Sequence, residues 1–287
     1  MAKQQYTCVG VMQGRLLPKY LGRYQAHPVG YWQEEFHIAA SMGLGLIEFI
    51  LDYNDVWDNP LMHSAGLEQI ATVCAQTDVA VTSVCADCFM QAPLFAPESE
   101  ETANSRRVLM RLIPNASELG ITNIILPCVD NASLLRQSLD LTTVVESLVP
   151  FADMAEKCGV NLALETDLDP VRVAALLQRV GSARITVNYD IGNSAALGYD
   201  CRQELKSYGS KISDIHIKDR KLNGASVPLG TGAADFTTFF SELSKLNYCG
   251  PIIMQAFRDA EGIKIFKEQM EWIRPKLDAY FNKVAMI

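Results

Sequence analysis

Four segments in the second half of the chain each end a run of apolar residues with a polar side chain that can bind a metal ion. The segments are LALETD, TVNYDIGN, SDIHIKDR and PIIMQAF, and the polar residues are Glu165, Asp190, His216 and Gln255. A strand buried on both faces is expected to be apolar throughout, so a polar residue at its C-terminal end needs a reason. Two carboxylates and an imidazole can bind one divalent cation. The set suits Mn²⁺, Zn²⁺, Co²⁺ or Fe²⁺, and Mg²⁺ less well because of the imidazole.

The alternation within SDIHIKDR predicts which polar side chains share a face. Asp214, His216 and Lys218 are two residues apart, so on a strand they point to the same side. His216 can then point inward, towards Glu165 and Asp190. The competing interpretation is a set of separate salt bridges or helix N-caps. Three such residues on consecutive strands favour a shared site.

A divalent cation at such a site polarises a carbonyl and an adjacent hydroxyl, and it stabilises the enediolate that forms on proton loss. Glu165 and His216 are therefore the catalytic candidates. Further polar residues near predicted strand ends are expected to bind substrate hydroxyls or charge. They are Arg15, Glu48, Asp87, Asn193, Lys218, Arg220 and Arg258. Lys218, Arg220 and Arg258 could hold a phosphate or a carboxylate, although each taken alone is typical of a solvated loop.

The elements that would position these residues repeat as strand and helix. Eight short segments rich in Val, Ile and Leu are predicted as parallel strands covered on both faces. They are Tyr6–Met12, Leu46–Leu51, Val79–Ala86, Thr122–Pro127, Val160–Glu165, Arg184–Asp190, Ile212–Lys218 and Pro251–Ala256. Stretches of helical periodicity lie between them, such as Thr142–Lys157 and Phe236–Leu246. The pattern predicts an α/β fold, a (β/α)₈ TIM barrel that forms one domain over residues 1–287.

Glycines support this division of the chain. Most helical stretches end in a glycine, which takes the left-handed conformation that closes a helix. These are Gly43, Gly120, Gly159, Gly181, Gly209 and Gly250. A doubly wound open sheet is the structural alternative. It lacks its expected phosphate loop, because Gly10 and Gly14 have no third glycine at the required spacing. In a barrel the carboxyl ends of all strands open onto one face, where active sites lie.

The composition limits the function classes. A net charge of −8 argues against a nucleic-acid partner, because phosphate backbones are bound by clustered Lys and Arg. No apolar run is long enough to span a bilayer, and the start of the sequence lacks the pattern of a signal peptide. We therefore expect a cytoplasmic protein with no membrane partner. The eight cysteines are scattered, which fits reduced thiols, and the C-x-x-C of Cys85 and Cys88 is interpreted as packing.

These residues and motifs resemble the xylose isomerase-like TIM barrels, a family of sugar and sugar-phosphate isomerases and epimerases with an apurinic endonuclease branch. The resemblance covers essentially the whole chain, from GVMQGRL through GLIEFILDY, SVCAD, LALETD and DIGN to HIKDR and PLGTGAADF. HIKD with the glycine-containing segment after it is the most specific part. The resemblance implies that one divalent metal is held by residues of the fifth to eighth strands, here Glu165, Asp190, His216 and Gln255.

Gln255 departs from the family pattern. In the related ketose epimerases a glutamate stands there, and two glutamates on opposite faces of the substrate exchange the proton. An amide oxygen can bind a metal but cannot take or return a proton near neutral pH. The departure favours aldose–ketose isomerisation by one base over C3 epimerisation. The endonucleases use a trinuclear zinc site with more histidines, and Asn193 stands where they place one, so that activity is not expected.

The leading hypothesis is therefore a metal-dependent isomerase or epimerase for a free or phosphorylated sugar. Two alternatives stay open: a dehydratase or lyase on the same scaffold, and a non-enzymatic sugar-binding protein that has lost a base at Gln255. A homo-oligomer formed through the outer helices is also compatible with the sequence.

Overall fold

The computed structural model describes residues 6–136, 140–260 and 262–284. Within them, eight parallel strands form a closed barrel in chain order, with the last strand hydrogen-bonded to the first. The strands are β1 (Tyr6–Met12), β2 (Leu44–Ile50), β3 (Ser83–Cys85), β4 (Asn123–Cys128), β5 (Asn161–Thr166), β6 (Ile185–Asp190), β7 (Ile212–Ile217) and β8 (Ile252–Met254). The predicted (β/α)₈ barrel is confirmed, and the open sheet is excluded.

The described residues also form ten α-helices, most of them on the outside of the barrel. They are α1 (Glu34–Ser41), α2 (Ser64–Thr77), α3 (Cys88–Gln91), α4 (Glu100–Glu118), α5 (Leu141–Cys158), α6 (Pro170–Val180), α7 (Ile191–Leu197), α8 (Cys201–Tyr208), α9 (Phe236–Leu243) and α10 (Ile263–Val284). Among these helices none combines the length and the apolar character needed to cross a bilayer.

Strand alternation divides the barrel into an apolar outer layer and a mixed interior. On β7, Ile215 and Ile217 pack into the large core between strands and helices, whereas His216 lies between them in sequence and points the other way. On β2, Ile47 and Phe49 join the same outer core. The interior holds a small apolar cluster, which consists of Met12, Leu46, Ile50, Cys85 and Ile253. The polar part of the interior includes Glu165 on β5, Asp190 on β6 and His216 on β7, together with Glu48 on β2.

Two predicted strands are shorter in the structure by three residues or more. β3 starts at Ser83 instead of Val79, because residues 79–82 form no continuous ladder: Ala80 makes an isolated bridge with Leu46, and Thr82 O accepts from the N–H groups of Thr122 and Asn123. β8 ends at Met254, so Gln255 lies just beyond the strand. Its backbone N–H still donates to Ile217 O at 3.1 Å, which keeps it beside the end of β7.

Four of the six glycines predicted to end helices have the left-handed backbone conformation. Gly43, Gly120, Gly159 and Gly181 have positive φ, whereas the left-handed prediction is wrong for Gly209 and Gly250. At Gly209 φ is −56°, because the chain continues there into a short 3₁₀ turn. Gly250 is not among the positive-φ residues; a Cβ there would lie 2.5 Å from the hydroxyl oxygen of Tyr248. Glycine at position 250 therefore satisfies a packing limit.

Candidate metal and substrate site

Glu165, Asp190 and His216 converge at the carboxyl end of the barrel. Each offers one ligand atom, and these atoms lie within 4.8 Å of one another. All three residues are buried, and His216 Nδ1 lies 3.6 Å from Glu165 Oε2. Asp190 also caps α7, since its Oδ1 accepts from Asn193 N at 2.9 Å. The helix-cap interpretation is thus correct for one oxygen of Asp190, and Oδ2 still faces the site.

Gln255 and Lys218 complete the open side of this cluster. Lys218 Nζ donates to Asp190 Oδ2 and to Gln255 Oε1, both at 3.2 Å. The Gln255 amide oxygen and the Asp190 carboxylate therefore face the same ammonium group. The structure brings Glu165, Asp190 and His216 together, and Lys218 links the Gln255 amide oxygen to Asp190.

His216 is held from behind by a buried carboxylate. Its Nε2 lies 2.8 Å from Glu48 Oε1, and Ser83 Oγ donates to Glu48 Oε2 at 2.7 Å. Asp214 lies near the same imidazole, and ligand atoms of Glu48, Asp214 and His216 are within 4.8 Å of one another. Glu48 is fully buried. The structure thus places Glu48, predicted to bind substrate, against His216 instead of in an open cavity.

Asn188 on β6 adds an amide to the cluster. Its Nδ2 lies 3.2 Å from Glu165 Oε2 and 3.0 Å from His216 Nδ1. Its Oδ1 is buried and has no hydrogen-bond partner among the described residues. A buried polar atom without a partner beside two carboxylates and an imidazole is compatible with a bound cation. The donor set of this site therefore fits a divalent metal ion.

Burial and neighbouring charges shift the protonation equilibria of the cluster. Burial and the nearby Asp190 raise the pKa of Glu165, His216 and Lys218 oppose the change, and the resulting value is about 7. Burial lowers the pKa of His216, but the carboxylates of Glu48, Glu165 and Asp190 outweigh it and hold the value at about 9. The cluster thus retains protons that a bound metal ion would displace.

A cavity of about 340 Å³ lies next to Asn193, which also contacts Glu165. Asn193 connects the two, because its Nδ2 donates to Glu165 Oε1 at 2.5 Å and its Oδ1 accepts from Arg220 Nη1 at 2.8 Å. Arg136 and Asn223 line the same cavity. The cavity is therefore lined by the guanidinium groups of Arg136 and Arg220 and the amides of Asn193 and Asn223, and Asn193 connects it to Glu165.

Arg15 and Asp87 reach the cluster through a residue that the sequence did not single out, Gln25. Arg15 Nη2 donates to Gln25 Oε1 at 3.0 Å, and Gln25 Nε2 donates to Asp87 Oδ1 at 3.0 Å. Gln255 Nε2 also donates to Gln25 Oε1, at 3.3 Å. Burial lowers the pKa of Arg15 to about 10 and raises that of Asp87. The two charged residues lie around the mouth of the site.

Arg258 is placed differently from the prediction that it binds substrate. It is buried, and its guanidinium donates to the backbone oxygens of Gly14 and Leu17 in the β1–α1 loop. Glu35 holds the same loop, accepting from the N–H groups of Gly14 at 2.7 Å and Leu16 at 2.8 Å. Arg258 therefore joins the β8 end to this loop.

The PLGTGAADF segment after β7 wraps around Asp219. The Asp219 carboxylate accepts from the backbone N–H groups of Gly230, Gly232 and Ala234 at 2.8–3.1 Å. A Cβ at Gly232 would lie 2.0 Å from Asp219 Oδ1, so only glycine lets the loop close around the carboxylate. The loop thereby fixes the backbone next to Lys218.

A family model described as xylose isomerase-like TIM barrel matches residues 36–276 of this chain. The chain belongs to that family. It is 29% identical over 272 residues to L-ribulose-5-phosphate 3-epimerase UlaE of Salmonella paratyphi A, which covers 90% of this chain and 94% of the relative. The family resemblance inferred from HIKD and PLGTGAADF is confirmed.

Solved structures of similar fold include proteins with bound metal ions. The IOLI protein with a zinc atom has a TM-score of 0.69 and 18% identity over 91% of this chain and 96% of that one. A xylose isomerase-like TIM barrel protein from Mycobacterium smegmatis in complex with magnesium has a TM-score of 0.70 and 16% identity, over 98% and 99% of the two chains. At these identities the likeness concerns the fold.

Sequence reasoning missed three residues of this xylose isomerase-like site. Asn188 was accessible to it, since it stands two residues before Asp190 and shares its face. Gln25 and Arg136 lie in loops, where no periodicity indicates which side chain turns inward. Both are recognised only from the closed barrel.

Proposed function

We propose that this chain is a divalent-metal-dependent enzyme that moves a proton on the carbon next to the carbonyl of a ketose phosphate, as a C3 epimerase. The buried cluster of Glu165, Asp190 and His216 supports this, in a chain similar over 90% of its length to an L-ribulose-5-phosphate 3-epimerase. The relatives are sugar epimerases, which favours the isomerase class over the dehydratase and lyase alternatives.

In this proposal Glu165, Asp190 and His216 hold the metal ion, with the Gln255 amide oxygen as the fourth ligand. The bound ion would polarise the sugar carbonyl and stabilise the enediolate. Two carboxylates and an imidazole suit Mn²⁺, Zn²⁺, Co²⁺ or Fe²⁺, with Mg²⁺ less favoured by the imidazole. The zinc and magnesium bound by proteins of the same fold are compatible with one divalent ion of this kind.

Glu165 is the proposed base. Its carboxylate is buried, and Asn188 and Asn193 donate to its two oxygens, which orients it without supplying a charge. A carboxylate in this position can take a proton from the carbon next to the carbonyl and return it. Glu165 thus has the position and the chemistry that proton removal next to a carbonyl requires.

The phosphate end of the substrate is proposed to lie in the cavity between Arg136 and Arg220. Arg220 donates to Asn193 and to Gly224 O, and Arg136 donates to Asp130 O, so each guanidinium retains N–H groups for a phosphate. Planar guanidinium groups bind phosphate oxygens in pairs. This arrangement favours a phosphorylated sugar over a free one.

Aldose–ketose isomerisation is the second candidate, and Gln255 is the observation that favours it. Because an amide cannot carry the proton, a reaction that uses one base on one face needs nothing from position 255. Epimerisation needs a proton on the opposite face from another donor. Lys218 Nζ, 3.2 Å from Gln255 Oε1, lies on that side.

The direct test is incubation of Mn²⁺-loaded protein with L-ribulose 5-phosphate, followed by chromatography and NMR of the products. A C3 epimer supports the first candidate, an aldose phosphate supports the second, and a product of different mass indicates a lyase or dehydratase. Glu165→Gln is expected to abolish conversion, whereas Glu118→Gln, an exposed glutamate on α4, should retain it. Wild-type protein that binds the sugar and leaves it unchanged would contradict the proposal and favour a binding protein.

A further inference from the structure

A chain of polar side chains runs from the β1–α1 loop into the candidate site and ends at Gln255. Gln255 Nε2 donates to Gln25 Oε1 at 3.3 Å, and Gln25 Nε2 donates to Asp87 Oδ1 at 3.0 Å. Arg15 Nη2 donates to the same Gln25 Oε1 at 3.0 Å. Gln25 therefore lies between two charged groups on one side and the Gln255 amide on the other.

The charged groups determine which atom donates and which accepts in each hydrogen bond of this series of side chains. A guanidinium can only donate and an ionised carboxylate can only accept, so Arg15 and Asp87 together fix which end of the Gln25 amide faces each of them. Gln25 Oε1, which already accepts from Arg15, can accept again but cannot donate, so the group of Gln255 that faces it is Nε2. The Gln255 oxygen is left to face Lys218 Nζ at 3.2 Å, and an ammonium can only donate. The orientation of the Gln255 amide thus follows from groups with one hydrogen-bonding role.

We propose that Gln25 is a positioning residue that holds the Gln255 amide oxygen towards Asp190 and the metal position. An amide oxygen binds a divalent cation, whereas the amide nitrogen presents two hydrogens to it. A half-turn of the Gln255 amide would therefore remove a ligand and place donor hydrogens against the ion. The inference rests on the proposed metal site and is independent of which sugar is bound.

The pairing also indicates why glutamine is compatible with position 255 in this chain. A carboxylate there would face Gln25 Oε1 with no hydrogen between the two oxygens. Gln25 could turn over to donate to that carboxylate, but its oxygen would then face the Asp87 carboxylate. Gln25 and Gln255 are thus matched to each other and to Asp87.

The test is a double-mutant cycle on Mn²⁺ affinity, measured by electron paramagnetic resonance with metal-free protein. Gln25→Met keeps the length of the side chain and removes both of its hydrogen-bonding ends. Gln25→Met and Gln255→Met are each expected to weaken Mn²⁺ binding by about tenfold or more, and the double variant should bind no more weakly than Gln255→Met. Gln33→Met is the control, because Gln33 is half-buried beside α1 and makes no side-chain capping hydrogen bond.

A second variant separates positioning from simple packing. Gln25→Glu combined with Asp87→Asn keeps an oxygen at position 25 that accepts from Arg15 and Gln255, and the amide introduced at position 87 can donate to the other oxygen, so Mn²⁺ affinity should stay close to that of the wild type. With Co²⁺ bound, the visible absorption spectrum reports the number and geometry of ligands. Gln25→Met and Gln255→Met are expected to change that spectrum in the same way, and the combined Gln25→Glu and Asp87→Asn variant should leave it unchanged. Thermal unfolding by circular dichroism establishes that each variant is folded.

Three results would overturn the inference: unchanged Mn²⁺ affinity in Gln255→Met, unchanged affinity in Gln25→Met, or additive losses in the double variant. Each of them leaves the proposed function intact if ketose conversion continues. A wild-type protein that binds Mn²⁺ with the expected cycle but converts no sugar would instead overturn the proposed function and support the positioning role of Gln25.

Discussion

His216 Nε2 lies 2.8 Å from Glu48 Oε1 in the barrel interior, while His216 Nδ1 faces Glu165 on the open side. Because a carboxylate can only accept, Nε2 would keep its hydrogen towards Glu48, and loss of the second proton from His216 would leave the Nδ1 lone pair facing the candidate metal position. The hydrogen bond from Ser83 holds Glu48 in turn. The buried pair thus sets both the tautomer and the ring orientation of the proposed metal ligand.

Replacing Glu48 is expected to weaken metal binding, although Glu48 is not itself a proposed metal ligand. Glu48→Met removes the acceptor at Nε2, so the imidazole loses its fixed tautomer, and Mn²⁺ affinity should fall about tenfold or more. Isothermal titration of metal-free protein measures the change. The control is Glu118→Met on the exposed face of α4. Equal Mn²⁺ affinity in Glu48→Met and wild type would contradict the role assigned to the pair.

Mn²⁺ affinity is expected to rise with pH. In the metal-free protein the pKa of Glu165 is about 7 and that of His216 about 9, and both groups must lose their protons to bind the ion. Between pH 7 and pH 9 one proton is displaced from His216, so affinity should rise about tenfold per pH unit, and more steeply below pH 7 where Glu165 also releases one. Competition titrations from pH 6 to pH 8.5 measure this slope. A flat profile would exclude these two groups as ligands.

Because Glu35 is buried, the stability of the folded protein is expected to depend on pH through this residue, which lies outside the metal site. Burial raises its pKa from 4.5 to about 7, although the N–H groups of Gly14 and Leu16 oppose the shift. Because the folded value lies above the unfolded one, this contribution to stability is complete below pH 4.5 and is lost as pH rises towards 7. The loss amounts to about 3 kcal/mol at about 1.4 kcal/mol per pKa unit.

Urea unfolding of wild type and Glu35→Gln, at several pH values, isolates the effect of Glu35. The free energy of unfolding of the wild type should fall relative to that of Glu35→Gln between pH 4.5 and pH 7, since glutamine does not titrate. The other buried carboxyl groups are common to both proteins and cancel in the difference. Parallel curves would show that Glu35 keeps the same pKa in the folded and unfolded chain.

The loop around Asp219 should not accept a side chain at Gly232. In Gly232→Ala the new Cβ would overlap the Asp219 carboxylate, so the loop must open and lose backbone hydrogen bonds to it. A loss of about 1–3 kcal/mol of unfolding free energy is expected. Ala233→Ser, an exposed position in the same loop, is the control. Equal stability of the two variants would contradict the steric account.

The barrel and the three central residues of the site follow from local sequence patterns. Glu165, Asp190 and His216 each end an apolar run, and parallel strands bring such ends to one face. Periodicity does not show which side chains meet across the barrel. Glu48 was therefore predicted to bind substrate, whereas in the structure it contacts His216. Periodicity also could not find Gln25, because a loop residue acquires its neighbours only when the chain closes. The prediction of a left-handed helix end at Gly250 was wrong for a related reason. Glycine is selected both where the backbone is left-handed and where a Cβ would clash, and the sequence does not distinguish the two.

The most direct measurement of the central claim is hydrogen exchange at the sugar carbon. Mn²⁺-loaded protein is incubated with L-ribulose 5-phosphate in D₂O, and ¹H NMR follows the signals of the hydrogens next to the carbonyl. We predict that the wild type replaces one such hydrogen with deuterium, whether the product is an epimer or an aldose, and that Glu165→Gln does not. No exchange by the loaded wild type, or equal exchange by Glu165→Gln, would contradict proton transfer by Glu165 at this site.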